Sequence, residues 1–266
     1  MTAAIGAGED NVRRDRVRVE SGSRRVRVQP GSRAAGEAPD EITALAITER
    51  IIESFPEPTP AHAVRWKLAA WRRQPVDPAV ADAVERVARV LVHTDISATI
   101  SRQQVGSHAG RPLDLFVATM AWGFGEQAYG WHRTRRILDR DGQQRLPALV
   151  DSLRGNADRP AQTWHMLMGP QGLRGLGPAF GTKLAYFASY NNERGDGPLI
   201  ADRWTAWAFW AFAGTWDIRS SPHTYAEYVH HCHAWAARLH RRPDDVERAF
   251  FLAGPYIRQV WRQAMQ

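Results

Sequence analysis

Lysine occurs at only two positions of this 266-residue chain, 67 and 183, and the rest of its 35 basic side chains are arginine. Arginine stays protonated in proteins, whereas a desolvated lysine can give up its proton and act as a nucleophile. Lys183 closes the stretch GLRGLGPAFGTK (172–183), and Asp202 follows nineteen residues later within PLIADRWTAW (198–207). An amine beside a carboxylate is a candidate for covalent catalysis. Plainer readings use the same residues: Lys183 as a solvated helix lysine, and Asp202 as the N-cap of the apolar helix that follows it.

The local sequence says how the pair would be positioned. Gly175 and Gly177 permit a tight or left-handed turn, and Pro178 pre-sets the first turn of a new helix. A glycine hairpin opening a helix presents free N–H groups and a positive dipole end, which suit a phosphate. Helical periodicity continues on both sides. DPAVADAVERVARVLV (77–92) puts Val80, Val84, Val87 and Leu91 on one face with Asp77 as N-cap, and PLDLFVATMAW (112–122) and the segment 132–153 keep the pattern. RWTAWAFWAFAG (203–214) is apolar nearly all round and predicts a buried helix ending at Gly214, with Trp204, Trp207 and Trp210 as core. The segments 222–242 and 243–263 each begin with a proline near a first turn. With no run of strands and no internal repeat, residues 41–266 are expected to form one all-α domain.

Residues 1–40 carry eight Arg against six acidic residues and few large apolar side chains. They read as a flexible basic arm hugging DNA, or as a short hairpin around Glu20–Ser23 built on the Arg–Val alternation of 16–28. The net charge of +7 and pI near 10.1 favour a polyanionic partner. Neither a spanning apolar stretch nor a secretory signal is apparent, so a cytoplasmic protein is expected. The single cysteine, Cys232, excludes an intrachain disulfide and a four-cysteine iron–sulfur cluster. HHCH (230–233) does not make a zinc site on a helix, because His230 and His233 share a face while His231 and Cys232 point elsewhere.

Aromatic residues interleaved with glycine, WGFGEQAYGW (122–131), could stack on an extruded base or serve as ordinary core. Arg133, Arg135 and Arg136 beyond them are either phosphate contacts or a solvated face.

The hairpin, the Gly-Thr-Lys at 181–183 and Asp202 resemble the helix-hairpin-helix (HhH-GPD) superfamily of DNA glycosylases, and within it the lysine enzymes of the 8-oxoguanine DNA glycosylase branch. The resemblance implies a two-lobed helical fold and a catalytic pair of Lys183 and Asp202. It further implies DNA contacts from Gly175, Gly177, Gly181, Thr182 and Arg203, and a base pocket drawn from Trp122, Phe124, Trp131, Phe187 and Trp204. A monomer acting on double-stranded DNA without metal or cofactor is expected; a non-catalytic hairpin module that only binds DNA is the competing class. The family hairpin is usually Leu-Pro-Gly-Val-Gly, whereas Gly177–Gly181 here reads Gly-Pro-Ala-Phe-Gly. Either Ala179 replaces a hairpin glycine or the turn is offset. The small cysteine-bearing position four residues after the lysine is Phe187, and the β-rich N-terminal domain of the eukaryotic enzymes has no counterpart. Those departures set 8-oxoguanine repair against a second target, the bulky glucosylated 5-hydroxymethylcytosine of phage DNA, which bacterial members turned to antiphage defence excise.

The charge reading makes its own prediction. DNA affinity should fall steeply with added salt, and removing residues 1–40 should lower both the affinity and the salt slope without ending catalysis. Binding isotherms over a salt series test this, and an affinity indifferent to salt would refute it.

Overall fold

The structure is a computed structural model that describes residues 41–264 apart from 56, 74–76, 192 and 214–216. The expected N-terminal arm, with its alternative hairpin, and Gly214 lie outside the described residues. Helix α1 (Glu41–Ser54) leads through a 3-10 turn (Thr59–Ala61) to strand β1 (Ala63–Trp66) and helix α2 (Leu68–Arg72). Helix α3 (Pro78–Arg89) is followed by strand β2 (Ala98–Ser101) and by α4 (Arg102–Gly106), α5 (Pro112–Phe124), α6 (Tyr129–Ile137) and α7 (Arg140–Gly155). Then come α8 (Pro160–Met168), α9 (Pro178–Ala188), α10 (Arg203–Ala213), α11 (Pro222–Leu239) and α12 (Pro243–Ala264). The all-α expectation holds, as does the cap of α3, where the Asp77 carboxylate accepts from the Ala79 N–H.

Two local readings change. Strands β1 and β2 pair antiparallel, with Ala63 opposite Ser101 and Trp66 opposite Ala98. At four residues each they are too short for alternation to announce them, and the partners come from distant parts of the chain. The pattern over 132–153 also divides into two helices. Asp139 breaks it by capping α7, its carboxylate accepting from the Gly142 N–H at 2.8 Å, because a short acidic side chain competes for backbone N–H groups.

The helices bury their apolar faces in two clusters. The first, around Trp66, Trp71, Phe116, Trp131, Leu153 and Phe187, is built by β1, β2 and α2–α9. The second, around Leu45, Phe209, Tyr225, Trp235 and Phe250, is built by α1, α10, α11 and α12. Helix α8 serves both: Trp164 lies in the second cluster, and Met168 packs against each. The lobes are joined by buried polar contacts. Arg102 Nη1 of α4 meets Glu247 Oε2 of α12 at 2.6 Å, and both side chains are 1% exposed. The same guanidinium lies 5.2 Å from the ring centres of Trp122 and Tyr186. The Tyr186 hydroxyl donates to Asp244 at 2.7 Å, and Arg242 also pairs with that carboxylate. Burial raises the Glu247 carboxyl above its ordinary range despite the opposing pull of Arg102. Beyond this seam, the Tyr225 and Tyr228 hydroxyls donate to the carbonyls of Leu199 and Ile200, which fixes the approach to Asp202. Among the described residues, no helix is long and apolar enough to cross a membrane.

A charge buried in this seam must keep its partner. Arg102→Met should strand Glu247 and cost about 3–5 kcal/mol, whereas Arg102→Met combined with Glu247→Leu should cost far less. Urea denaturation of the three proteins measures this. Equal losses in the single and double variants would show that the pair is not what the seam depends on.

Candidate active site

The turn between α8 and α9 resolves the hairpin register. Gly175 has φ +86°, a conformation that a residue with a Cβ adopts only under strain, and Gly177 caps α9 in extended conformation ahead of Pro178. Leu173 and Leu176 are buried in the first core and anchor the turn. Its carbonyls are held from outside: Arg133 of α6 donates to Gly175 O at 2.8 Å, and Arg145 of α7 donates to Pro170 O. Arg133 therefore braces the hairpin, whereas Arg135 and Arg136 are exposed. The turn is Gly175-Leu176-Gly177, four residues ahead of the family position, and Ala179 lies inside the helix. Lys183 consequently sits in the second turn of α9, beyond the free N–H groups of its start.

This register corrects two of the expected DNA contacts. Gly181 is buried against α8, where a Cβ would come within 3.1 Å of the Met168 methyl. Thr182 is fully buried; its hydroxyl donates to Pro178 O at 2.9 Å and accepts from the Ala201 N–H at 3.0 Å. Neither is open at the protein surface. Instead, Gly181 allows α9 to approach α8, and Thr182 ties α9 to the segment before Asp202. Gly175 remains exposed, and nothing lies within 4 Å of a Cβ built on Gly177.

The structure brings Lys183 and Asp202 together. Nζ lies 3.0 Å from Asp202 Oδ2, with the two residues only 6% and 9% exposed. The solvated-lysine reading is therefore wrong. The capping reading of Asp202 is right, and compatible with the pairing, because the carboxylate divides its two oxygens. Oδ1 accepts from the N–H groups of Trp204 (2.8 Å) and Thr205 (3.2 Å), while Oδ2 takes the lysine. Thr205 Oγ1 in turn accepts from the Asp202 N–H at 2.8 Å. Burial alone would raise the Asp202 carboxyl, but the Lys183 charge, the lysine hydrogen bond and the two backbone N–H donors outweigh it and hold the group below its ordinary value. The amine also lies 5.7 Å from the centre of the Phe180 ring, which stacks on Phe124 at 4.3 Å. A side chain at Gly123 would overlap Phe180, so that glycine makes room for the stack.

The remaining pocket candidates scatter. Trp122, Trp131 and Phe187 are buried in the first core, with Trp122 edge-on to Phe187 at 5.4 Å and Trp71 edge-on to Trp131 at 5.5 Å. They are packed against protein on all sides, as apolar rings of that size usually are. Phe124 and Trp204 are partly exposed. Arg203 is exposed, and its guanidinium lies 4.2 Å over the Trp204 ring. Trp204, Trp207 and Trp210 were expected in the core but are only partly buried, because α10 buries one face only, through Thr205, Ala206, Ala208, Phe209 and Phe212. Among the described residues no group of three or more His, Cys, Asp or Glu is placed to hold a metal, and Cys232 is buried. Sequence reasoning missed Phe180, although its i, i+3 spacing from Lys183 was a usable signal. It also missed Arg102, Glu247 and Asp244, whose meeting across the chain left no local trace.

The lowered Asp202 pKa has a stability consequence. The pairing contributes stability above the ordinary aspartate pKa of about 4 and loses it as pH falls through the lower folded-state value. Asp202→Asn should therefore be less stable than the parent at neutral pH, and the gap should close under acid. Thermal melts between pH 7 and pH 2 check this; a gap that persists at the acid end would contradict it.

A family model described as "Putative 8-oxoguanine DNA glycosylase OGG-like protein" matches residues 57–251, most of the chain. No curated protein and no solved structure matches it. The matched span takes in the glycine hairpin, the buried Lys183–Asp202 contact and the Arg102–Glu247 seam between the lobes. The chain belongs to the 8-oxoguanine DNA glycosylase OGG-like family.

Proposed function

We propose that this protein is a DNA N-glycosylase that excises a modified base by way of a covalent intermediate on Lys183. The observation that carries the reading is the buried 3.0 Å contact between Lys183 Nζ and Asp202 Oδ2. Breaking an N-glycosidic bond leaves positive charge on the sugar, and a fixed carboxylate beside it stabilises the transition state. The lysine lone pair forms the C1′–Nζ bond as the C1′–N bond breaks, and the bonding pair leaves with the base. The proton shed by the ammonium passes over Asp202 Oδ2 to the departing base, so the carboxylate is charged when the sugar is. Opening of the sugar then yields a Schiff base, which also permits strand cleavage by β-elimination. The extruded nucleotide must reach an amine that is only 6% exposed, which favours a base taken out of the stack over one attacked in the duplex.

Two targets follow from different observations. The family description names 8-oxoguanine. Against a pocket of the eukaryotic kind, Phe187 is fully buried one helical turn beyond Lys183, and only a two-stranded sheet occurs among the described residues. Those departures support a different base, of which glucosylated 5-hydroxymethylcytosine in antiphage defence is the reading carried here. The aromatic segment invoked for it contributes only Phe124 and Tyr129 to the surface, since Trp122 and Trp131 are core.

Duplexes carrying each base, treated with borohydride, should give a protein–DNA adduct on the true substrate. Lys183→Gln should abolish the adduct, and Asp202→Asn should slow excision by orders of magnitude while DNA binding survives. Full excision by Lys183→Gln would end the covalent mechanism. Release of 8-oxoguanine alone would remove the defence reading.

A further inference from the structure

Where the N-terminal end of α10 packs on the C-terminal half of α12, guanidiniums gather around one indole. Arg203 lies 4.2 Å and Arg258 5.7 Å from the centre of the Trp204 ring. The Arg258 pKa is lowered, by desolvation first and then by the charges of Arg262 and Arg203, so both of those groups lie near enough to act on Arg258. Among the described residues none of the three forms an ion pair. Elsewhere in the molecule, buried or bracing arginines such as Arg86, Arg102 and Arg242 have carboxylates of their own. Beside Arg203, a cavity of about 80 Å³ is lined by Trp207, Asp217 and Arg219, and among the described residues the buried Arg219 Nε has no hydrogen-bond partner.

The two helices are closely packed here. Gly254 brings α12 against the backbone of α10 so closely that a Cβ there would overlap the Trp204 carbonyl. That contact sets Arg258, one turn further on, over the indole. Stacking on an aromatic face restrains a guanidinium while leaving its N–H edge free to donate. Arg258 and Arg262 are a helical turn apart, about 6 Å along the axis, and so reach successive groups on a linear ligand. Arg203 directly follows Asp202, so the cluster begins at the candidate active site.

We infer that Arg203 and Arg258 over Trp204, with Arg262 beside Arg258 and Arg219 at the adjoining cavity, bind consecutive phosphates of the DNA strand that carries the extruded nucleotide. Like charges held together with no ion pair to offset them, as Arg203, Arg258 and Arg262 are among the described residues, are destabilising unless an anion joins them, and planar guanidiniums match phosphate oxygens. Trp204 is then a platform for arginines and not for a base. The choice of DNA as the polyanion rests on the glycosylase reading.

The test is a salt titration of binding to an unmodified labelled duplex, followed by anisotropy. Each arginine removed should flatten the plot of log K against log salt by about 1. Arg258→Gln with Arg262→Gln should therefore flatten it by about 2 and weaken binding roughly tenfold or more at 0.1 M salt, estimated on the same basis. Arg89→Gln, on the exposed end of α3, should leave both unchanged. Trp204→Phe should bind as the parent does, whereas Trp204→Ala should lose affinity. An unaltered slope in the double variant overturns the inference, as does an equal effect from Arg89→Gln. Competition by millimolar inorganic phosphate that leaves the duplex slope unaffected would point to a free-phosphate site and also overturn it. Because the duplex is unmodified, a parent protein that excises bases while the double variant keeps its slope would refute this site alone. A parent that binds no duplex would refute the glycosylase reading with it.

Discussion

An ammonium and a carboxylate held 3.0 Å apart where water barely reaches constrain everything around them. Each charge is costly to desolvate, and the pair survives only if its remaining hydrogen-bond capacity is filled. Asp202 meets that demand by capping α10 with its other oxygen. The helix start and the candidate chemistry are thus one structural unit: any shift of α10 moves the carboxylate away from the amine. Thr182 and Thr205 brace this unit from the two sides, through the Ala201 and Asp202 N–H groups.

The pair also joins the lobes, since Lys183 projects from a helix of the first core and Asp202 introduces a helix of the second. A second set of buried charges, Arg102 with Glu247 and Tyr186 with Asp244, lies along the same junction. Tyr186 is three residues beyond Lys183, so α9 contributes to both. Such contacts tolerate little misalignment, because a buried charge separated from its partner costs several kcal/mol. The seam therefore holds the relative placement of the lobes, and with it the 3.0 Å contact, more tightly than apolar packing alone.

Small residues do the complementary work of bringing helices close. Gly181 admits α8 to α9, Gly123 accommodates the Phe180 ring beside the amine, and Gly254 sets α12 on the backbone of α10. In each case a methyl group would crowd a neighbour that the site needs in place. Among the hairpin glycines, Gly175 is required for its backbone conformation, whereas Gly181 is useful for proximity.

The pairing of Lys183 with Asp202 was legible in the sequence because it rests on residue type and on local signals. An isolated lysine, a turn written in glycine and proline, and an aspartate just ahead of an apolar helix are all short-range facts. So were the helical periodicity and the cap at Asp77, since amphipathic faces and side-chain caps are set within one or two turns. What the tertiary structure decided was which faces meet. It offset the hairpin from the family register, and it turned Gly181 and Thr182 inward. It put Trp122, Trp131 and Phe187 into the core while leaving Trp204 partly exposed beneath two arginines. The sheet of β1 with β2 and the ion pair of Arg102 with Glu247 belong to the same category. Their energies come from partners far away in the chain, and a partner that distant leaves no periodicity or spacing in the residues beside it.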